Sequence, residues 1–181
     1  MKLKEIIDTW QEKYTPETEC NIIAIVEELK LATLTGDIAD LLALSISDHY
    51  NNLARTILEK EYAGHKINLQ KLNQFLINKS EDKSSLLHYT AEFGNKDILI
   101  YFLNNGIEIS VDKDSMTPIH SLSFARNLNK KDILEIIDKF ESISPDIINR
   151  KDDFNLSPLH YAAHYKNDNM LKALIERQAK K

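Results

Sequence analysis

Three histidines stand in similar local sequence, and histidine can act as a general acid or base or bind a metal near neutral pH. His88, His120 and His160 are 32 and 40 residues apart. His160 and His164 are four residues apart, so on a helix both side chains share one face, where two imidazoles can hold a metal ion. A metal site needs three or four ligands, and no third ligand is evident beside this pair. The sequence therefore predicts no metal site.

Other catalytic signatures fail on inspection. The stretch Asp112-Lys113-Asp114-Ser115 resembles the start of a calcium loop, but Thr117 stands where that loop needs glycine, and its twelfth position, Ser123, is not glutamate. The chain contains no phosphate-binding glycine loop, no nucleophile elbow and no Cys-x-x-Cys pair. We predict a protein without catalysis or cofactor. The alternative is a small enzyme or enzyme regulator with its site in residues 1–36, which a deep polar pocket there would favour.

Composition bounds the class of protein. The 181 residues are 43% hydrophobic and 28% charged, which is ordinary for a soluble globular protein. The net charge of −5 argues against a nucleic-acid partner, which needs a basic face. The start of the chain has no apolar signal-peptide region, and no apolar run approaches the length of a membrane span. The single cysteine, Cys20, permits no internal disulfide and fits a reducing compartment, so we expect a cytoplasmic location without membrane insertion.

The three histidines belong to a repeated motif. It reads Ser-Pro-Leu-His-Tyr-Ala-Ala from Ser157, Thr-Pro-Ile-His from Thr117, and Ser-Leu-Leu-His-Tyr-Thr-Ala from Ser85. This resembles the T-P-L-H-x-A signature of ankyrin repeats, whose period is about 33 residues. The resemblance implies an all-α solenoid of stacked helix-turn-helix units with short loop or hairpin tips. It also implies that the histidines tie neighbouring loops together by hydrogen bonds.

Local chemistry agrees with helices that start at this motif. A proline in the first turn of a helix loses no helical hydrogen bond, and Ser or Thr just before it can cap free backbone N–H groups. The residues that we assign to this structural signature are His88, Thr117, Pro118, His120, Ser157, Pro158 and His160.

We divide the chain into three regions. Residues 1–36 are expected to form an N-terminal helical cap, with Trp10 and Tyr14 on its first amphipathic helix. Residues 37–79 are interpreted as a degenerate ankyrin-like helix pair over 37–68 followed by an extra helix over Gln70 to Asn78. The clear array occupies residues 80–181, as three repeats at about 80–111, 112–151 and 152–181.

The repeats depart from the family pattern at particular places. Gly94 is expected to end the first inner helix in a left-handed conformation. The third repeat has Lys166 there, and Asn167 is expected to take the left-handed turn instead. The second repeat carries an insertion over Ala125–Lys130 and a longer outer helix. After the last core residue, we expect a polar terminal cap facing water, made by Glu176, Arg177, Gln178, Lys180 and Lys181.

The resemblance implies that loop tips and the exposed face of the inner helices meet partners. Phe93, Phe124 and Tyr165 are expected to form a ladder of rings on one concave side. The tips carry Glu81-Asp82, Asp112 with Asp114, and Asp152-Asp153, diluted by Lys83, Lys113 and Lys151, which suggests an acidic edge and a partner protein with a basic surface. The full set of candidate partner-binding residues is Glu92, Phe93, Asp114, Met116, Phe124, Asp153, Phe154, His164 and Tyr165.

The favoured function is protein–protein interaction, as a scaffold or as an effector-like binder of a cellular protein. The location would then be the cytoplasm, or the host-cell cytoplasm for a secreted effector. A further alternative is a self-assembling homo-oligomer whose seam is the first helix with Trp10 and Tyr14. The sequence leaves the partner's identity and the oligomeric state open.

Overall fold

The computed structural model describes residues 42, 43, 45, 46, 51–59, 61, 62, 65, 66 and 68–178. The predicted N-terminal cap over residues 1–36, with Trp10, Tyr14 and Cys20, lies outside these residues. Within the described ranges, no helix combines the length and apolar character needed to cross a membrane.

The described chain is helical, which confirms the all-α prediction. A 3-10 turn at Ile147–Asn149 and a minimal antiparallel hairpin, β1 (Glu61–Tyr62) and β2 (His65–Lys66), are the other regular elements in these ranges. The sequence resemblance implies short loop or hairpin tips but assigns none to these residues. The helices are α1 (Asn51–Glu59), α2 (Leu69–Lys79), α3 (Leu86–Glu92), α4 (Lys96–Asn104), α5 (Pro118–Leu122), α6 (Lys130–Ile143), α7 (Pro158–His164) and α8 (Asp168–Gln178).

From α3 onward the helices form two layers. The inner helices α3, α5 and α7 pack in sequence on one another, and the outer helices α4, α6 and α8 do the same. Each inner helix and the outer helix after it make one pair, so three pairs stack into a solenoid. The core lies between the layers and includes Leu86, Leu87, Ile98, Leu99, Phe102, Ile133, Ile136 and Phe140, all fully buried.

Asparagine sets the start of every outer helix in the array. Asn95, Asn129 and Asn167 each accept a hydrogen bond on Oδ1 from the backbone N–H three residues later, at 3.4, 3.0 and 3.0 Å respectively. An asparagine N-cap satisfies one of the free N–H groups that begin a helix. Equal caps place the outer helices in equal register, so positions counted from each cap are structurally equivalent.

Helical residues at 42, 43, 45 and 46 and the helices α1 and α2 precede the array in the described part of the chain. On α1, Leu53, Ala54, Ile57 and Leu58 form a buried stripe, and α1 packs against α4. The extra helix predicted over Gln70 to Asn78 is present as α2 and begins after Asn68, whose side chain accepts from the Lys71 N–H. The buried Asn73 on α2 accepts the Leu86 N–H at 2.9 Å, so α2 caps the start of the first inner helix.

The ends of the inner helices require a left-handed residue. Gly94 has φ +64°, as predicted. In the third repeat Lys166 itself takes φ +53°, so the expectation that Asn167 would adopt this conformation was wrong. The reason is that the Asn167 side chain is buried and already bonded to both the preceding repeat and α8.

Non-glycine residues hold left-handed conformations at the loop tips as well, and this predicts a stabilising substitution. Ser115 has φ +63°, and a left-handed residue with a Cβ costs roughly 1–2 kcal/mol. Glycine removes that cost, but it loses more conformational entropy on folding, which costs about 0.5–1 kcal/mol. We expect Ser115→Gly and Lys166→Gly each to raise the free energy of unfolding by about 0.5–1 kcal/mol in urea titrations. Asn155→Gly, at φ +61°, is the control and should gain less because asparagine tolerates this conformation.

Candidate functional site

The signature histidines link one repeat to the next. His88 Nδ1 accepts the Ser85 N–H at 3.1 Å, so Nε2 carries the proton and donates to the Met116 carbonyl at 3.0 Å. His120 repeats this arrangement with the Thr117 N–H at 3.0 Å and the Leu156 carbonyl at 3.2 Å. Both carbonyls belong to the loop of the following repeat. The geometry is that of a structural tie.

His160 has only half of this arrangement. Its Nδ1 accepts the Ser157 N–H at 3.1 Å, as in the other two repeats. Its Nε2 has no partner among the described residues, and the side chain is exposed whereas His88 and His120 are buried.

Electrostatics favour a structural role for the two buried rings. Burial lowers the pKa of His88 and of His120 below the ordinary value, and the bonds to the Met116 and Leu156 carbonyls only partly oppose this. Neutral imidazoles with both nitrogens occupied have no free position for a reacting group. Within the described part of the chain, no three His, Cys, Asp or Glu side chains are grouped as metal ligands.

The loop tips use their aspartates to hold their own backbone. Asp112 Oδ1 accepts the N–H groups of Asp114 and Met116, both at 2.9 Å. Asp152 Oδ1 accepts those of Phe154 and Leu156 at 3.0 and 2.8 Å. Such bonds stabilise a turn locally.

Successive tips also bond to one another through the main chain. The Lys113 N–H donates to the Asp82 carbonyl at 2.8 Å, and the Asp153 N–H donates to the Asp114 carbonyl at 3.0 Å. The tips are therefore stacked in fixed register.

Tyr161 reinforces the third tip and was missed by the sequence analysis. Its hydroxyl donates to Asp152 Oδ2 at 2.6 Å. Burial raises the pKa of Asp152. The bond from Tyr161 and the N–H groups of Leu156 and Phe154 lower it more, so the pKa lies below the ordinary value of an aspartate. Burial, and then the bond to Asp152, raise the pKa of Tyr161. The available signal was a tyrosine directly after the signature histidine.

The expected acidic edge is smaller than the sequence suggested. Asp152 is buried and engaged in its own tip, and Asp112 is partly buried in the same role. The carboxylates left near the tips are Glu81 and Asp153, which are exposed, and Asp114, which is half-buried. Lys83, Lys113 and Lys151 are exposed on the same loops and dilute this charge.

Half-buried aromatic rings gather beside the third tip. The Phe124 ring centroid lies 4.6 Å from that of Tyr165 and 6.1 Å from that of Tyr161. Tyr161 and Tyr165 stack nearly parallel at 6.4 Å, and the exposed His164 contacts Tyr165 edge-on at 4.9 Å. We call Phe124, Tyr161 and Tyr165 the aromatic cluster.

Phe93 is not part of this cluster. It is half-buried against the core, and the position equivalent to Phe93 and Tyr165 in the second repeat is the buried Ala125. Phe124 stands one residue earlier. The predicted ladder of Phe93, Phe124 and Tyr165 is therefore replaced by a cluster in which Tyr161 takes the place of Phe93.

The insertion in the second repeat forms hydrogen bonds to both neighbouring repeats. Asn127 Nδ2 donates to the Gly94 carbonyl at 3.2 Å, towards the first repeat. Arg126 Nη2 donates to the Tyr165 carbonyl at 3.0 Å, and Asn169 Nδ2 of the third repeat donates to the Leu128 carbonyl at 3.0 Å. The insertion thus ties the second repeat to the first and to the third, directly after Phe124.

The remaining candidate residues lie near the aromatic cluster or the loop tips, and among the described residues no hydrogen bond joins them to one another. Phe154 is the most exposed large hydrophobic side chain described, at 66%. Met116 is half-buried, and its carbonyl holds His88. Glu92 is exposed at the end of α3.

Comparison with known families agrees with this geometry. Residues 154–180, which contain α7 and α8, match the family model of the ankyrin repeat. Residues 154–180 are therefore an ankyrin repeat. The family model matches one repeat. His120 ties the second helix pair to that repeat, and His88 ties the first pair to the second in the same way. A search of curated proteins found no match. Ankyrin arrays generally bind other proteins through the surface that their stacked repeats create, without chemistry of their own.

Proposed function

We propose that this ankyrin-repeat protein binds another protein through the aromatic cluster and the neighbouring loop tips, and that it catalyses no reaction. The observation that carries the proposal is the packing of Phe124, Tyr161 and Tyr165 on one another while each ring stays half-buried. The alternative of a catalytic site in residues 1–36 falls outside the described residues.

The Phe124 ring is suited to recognition rather than to holding the fold. The first repeat has Glu92 at the position of Phe124, so the repeat itself does not demand an aromatic residue there. Large aromatic side chains are enriched among the residues that dominate binding energy. Mutual contacts and the Arg126 bond to the Tyr165 carbonyl fix the rings before binding, which lowers the entropic cost of association.

Charge supports a partner with a basic surface. The chain carries a net charge of −5, and Glu81, Glu92 and Asp153 are exposed carboxylates at the tips or on the inner-helix side. Carboxylates at the rim of an interface mainly raise the association rate and select against acidic competitors. We propose a cytoplasmic setting, or the cytoplasm of a host cell if the protein is an effector; the single cysteine is compatible with either.

The proposal predicts the effect of Phe124→Ala. We expect the variant to lose at least about 1 kcal/mol of binding free energy, because a preformed part of the contact surface is removed. The bait is the purified chain in an affinity capture from lysate, with bound proteins quantified by mass spectrometry and the leading partner then titrated. Tyr101→Ala is the matched control, since Tyr101 is a half-buried aromatic on the outer helix α4 and should leave binding unchanged.

Two outcomes would contradict the proposal. The first is capture of the same proteins with equal affinity by Phe124→Ala, accompanied by a large fall in melting temperature, which would make Phe124 a core residue. The second concerns the basic partner: an association rate that does not fall as ionic strength rises would exclude steering by the exposed carboxylates.

A further inference from the structure

The chain between the end of α4 and the second tip has the sequence pattern of a strand. Ile107, Ile109 and Val111 alternate with Glu108 and Ser110, and β-branched residues at a period of two are typical of a half-buried strand. Burial begins with the same period, since Ile107 is 3% exposed, Glu108 is exposed, and Ile109 packs against the core. We call residues 107–111 the linker segment.

The main chain of the linker segment is unpaired among the described residues. The bonds that bound it are those of the Ile107 N–H to the Phe102 carbonyl at 3.2 Å and of the Asp112 N–H to the Met116 carbonyl at 3.0 Å. Between them, neither the N–H groups nor the carbonyls of residues 108–111 bond to a described residue. The Ser110 hydroxyl is shielded from solvent and also lacks a partner there. A run of free N–H and carbonyl groups is a template for pairing with another strand.

The repeat itself does not demand this arrangement. In the second repeat, counted back from the aspartate that begins the next tip, the equivalent residues are 148–151. There the Asn149 N–H donates to the Asp146 carbonyl at 2.9 Å within the 3-10 turn. Arg150 and Lys151, which follow, are charged and exposed. The second repeat thus bonds part of this main chain internally and replaces the apolar alternation by cations.

A groove lies beside the linker segment because the two neighbouring outer helices differ in length. α4 has 9 residues and α6 has 14, so the end of α6 runs alongside the chain that follows α4. The groove has a volume of about 560 Å³, and its lining includes Leu103, Ile107 and Ile109 of the first repeat and Ile143 and Ser144 of the second. Ile143 is 48% exposed there. The groove is therefore apolar and large enough to take side chains of a bound segment.

The third repeat holds the end of α6 in place. Arg177 of α8 turns back, and its Nη2 lies 2.5 Å from Asp138 and its Nε 2.7 Å from Glu141. Gln178 Nε2 donates to Asn149 Oδ1 at 2.9 Å, just beyond α6. These bonds fix the helix that carries Ile143 before anything binds, which lowers the entropic cost of association.

The same contacts decide the expected polar terminal cap. Arg177 and Gln178 bond to the second repeat, and Glu176 pairs with Lys130 at 2.8 Å. The prediction that these side chains face water as a cap was therefore wrong. Lys180 and Lys181 lie outside the described residues.

Charge selects the kind of segment that fits the groove. Glu108 is exposed, and it is the charged side chain among the described residues that line the groove. In a pair of strands, a basic residue opposite Glu108 is favourable and an acidic residue is unfavourable. A second copy of this chain would bring its own Glu108 and its net charge of −5 to the contact. A different protein with basic residues is therefore the better complement.

We propose that the linker segment is an edge to which an extended segment of a basic partner protein adds as a strand, the mode called β-augmentation. Alternate residues of the partner segment are apolar and enter the groove, and lysine or arginine residues between them lie on the side of Glu108. Main-chain hydrogen bonds supply the pairing, and the groove supplies the choice of side chain. This surface is separate from the aromatic cluster, whose residues do not line the groove.

The test uses a labelled synthetic peptide of about eight residues in which valine and lysine alternate. It is titrated with the full chain and followed by fluorescence anisotropy. We expect a dissociation constant at least about tenfold lower than that of a peptide of equal composition whose valines all precede its lysines, because only the alternating peptide separates apolar from basic side chains on a strand. The second peptide controls for general attraction to an acidic protein.

Two variants test the two faces of the bound strand. Ile143→Ser removes an apolar wall of the groove and Glu108→Lys reverses the charge, and each should weaken the alternating peptide by about tenfold. Ile175→Ser is the matched control, since Ile175 is an isoleucine 53% exposed on the outer helix α8 and does not line the groove. Amide hydrogen exchange gives a direct readout: alternate N–H groups of residues 108–111 should gain protection when the peptide binds.

Several results would overturn the proposal. They are equal binding, or no binding, of the alternating and grouped peptides, unchanged affinity in Ile143→Ser or Glu108→Lys, and a bound state without new protection at residues 108–111. Protection that appears without peptide as the chain dimerises would assign the edge to a second copy instead. Phe124→Ala should bind the peptide as the parent does, so failure here is distinguishable from failure of the aromatic cluster as a partner-binding surface.

Discussion

Replacing His120 by alanine should lower the free energy of unfolding by about 1–3 kcal/mol, the cost of leaving buried groups without partners. The variant loses the acceptor of the Thr117 N–H and the donor to the Leu156 carbonyl at a fully buried position. The measurement is urea denaturation followed by circular dichroism, at a concentration low enough to keep the chain monomeric. A midpoint equal to that of the parent would contradict the structural assignment of the signature histidines.

His160→Ala is the matched control for this experiment. It removes the same ring and the same local bond to the Ser157 N–H, but no bond to a further repeat. We expect a loss of only about 0.5–1 kcal/mol, similar to that of an ordinary helix cap. The difference between the two variants measures the inter-repeat tie.

The pH dependence of stability is a second measure of the hydrogen bonds that the buried histidines make between repeats. The pKa values of His88 and His120 are lowered in the folded state, so the unfolded chain takes up protons first as pH falls. The contribution of these two histidines to the free energy of unfolding is complete above the ordinary histidine pKa of about 6.5, and it is lost as the pH falls below that value. The parent should therefore lose stability below neutral pH, and His120→Ala should show a shallower dependence than the parent.

The second large effect is expected at Asn167, with a loss of about 2–4 kcal/mol in Asn167→Ala. This buried side chain donates to the carbonyls of Ser123 at 3.2 Å and Ala125 at 2.5 Å, and accepts the Met170 N–H at 3.0 Å. One substitution thus removes the cap of α8 and two bonds to the second repeat. Three backbone groups lose their partner in a region closed to water.

Asn129→Ala separates the two parts of this loss. Asn129 caps α6 in the same way, but it is exposed and its Nδ2 bonds only to Asp132 of its own helix. We expect about 1 kcal/mol for this variant, the usual cost of losing an N-cap. Equal losses for Asn167→Ala and Asn129→Ala, measured by the same urea titration, would show that the bonds to the second repeat contribute nothing.

Local chemistry made much of the array predictable. Pro118, Pro158 and the preceding hydroxyl residues mark helix starts because proline and the capping side chains act within one turn of the chain. Gly94 marks a helix end for the same local reason. The apolar stripe on α2 likewise predicted a helix before the array, since a 3.6-residue period needs no information from distant residues.

The candidate site was less predictable because it depends on which repeats meet. The membership of the aromatic cluster follows from the contact between Phe124 of the second repeat and Tyr165 of the third, whose carbonyl also accepts a hydrogen bond from Arg126. Asp112 and Asp152 turn inward because they accept hydrogen bonds from the backbone of their own tips. From composition alone, such aspartates cannot be told apart from exposed ones that form a charged edge.

The sequence by itself determined the fold class, the starts of the inner helices and the identity of the repeat, because these depend on groups a few residues apart. Only the tertiary structure decided which equivalent positions differ in their surroundings. His88 and His160 occupy the same motif, yet one is buried beneath the next repeat and the other is exposed. Burial and inter-repeat hydrogen bonds are properties of a stack, so identical local sequence takes a different role where the described stack of repeats ends.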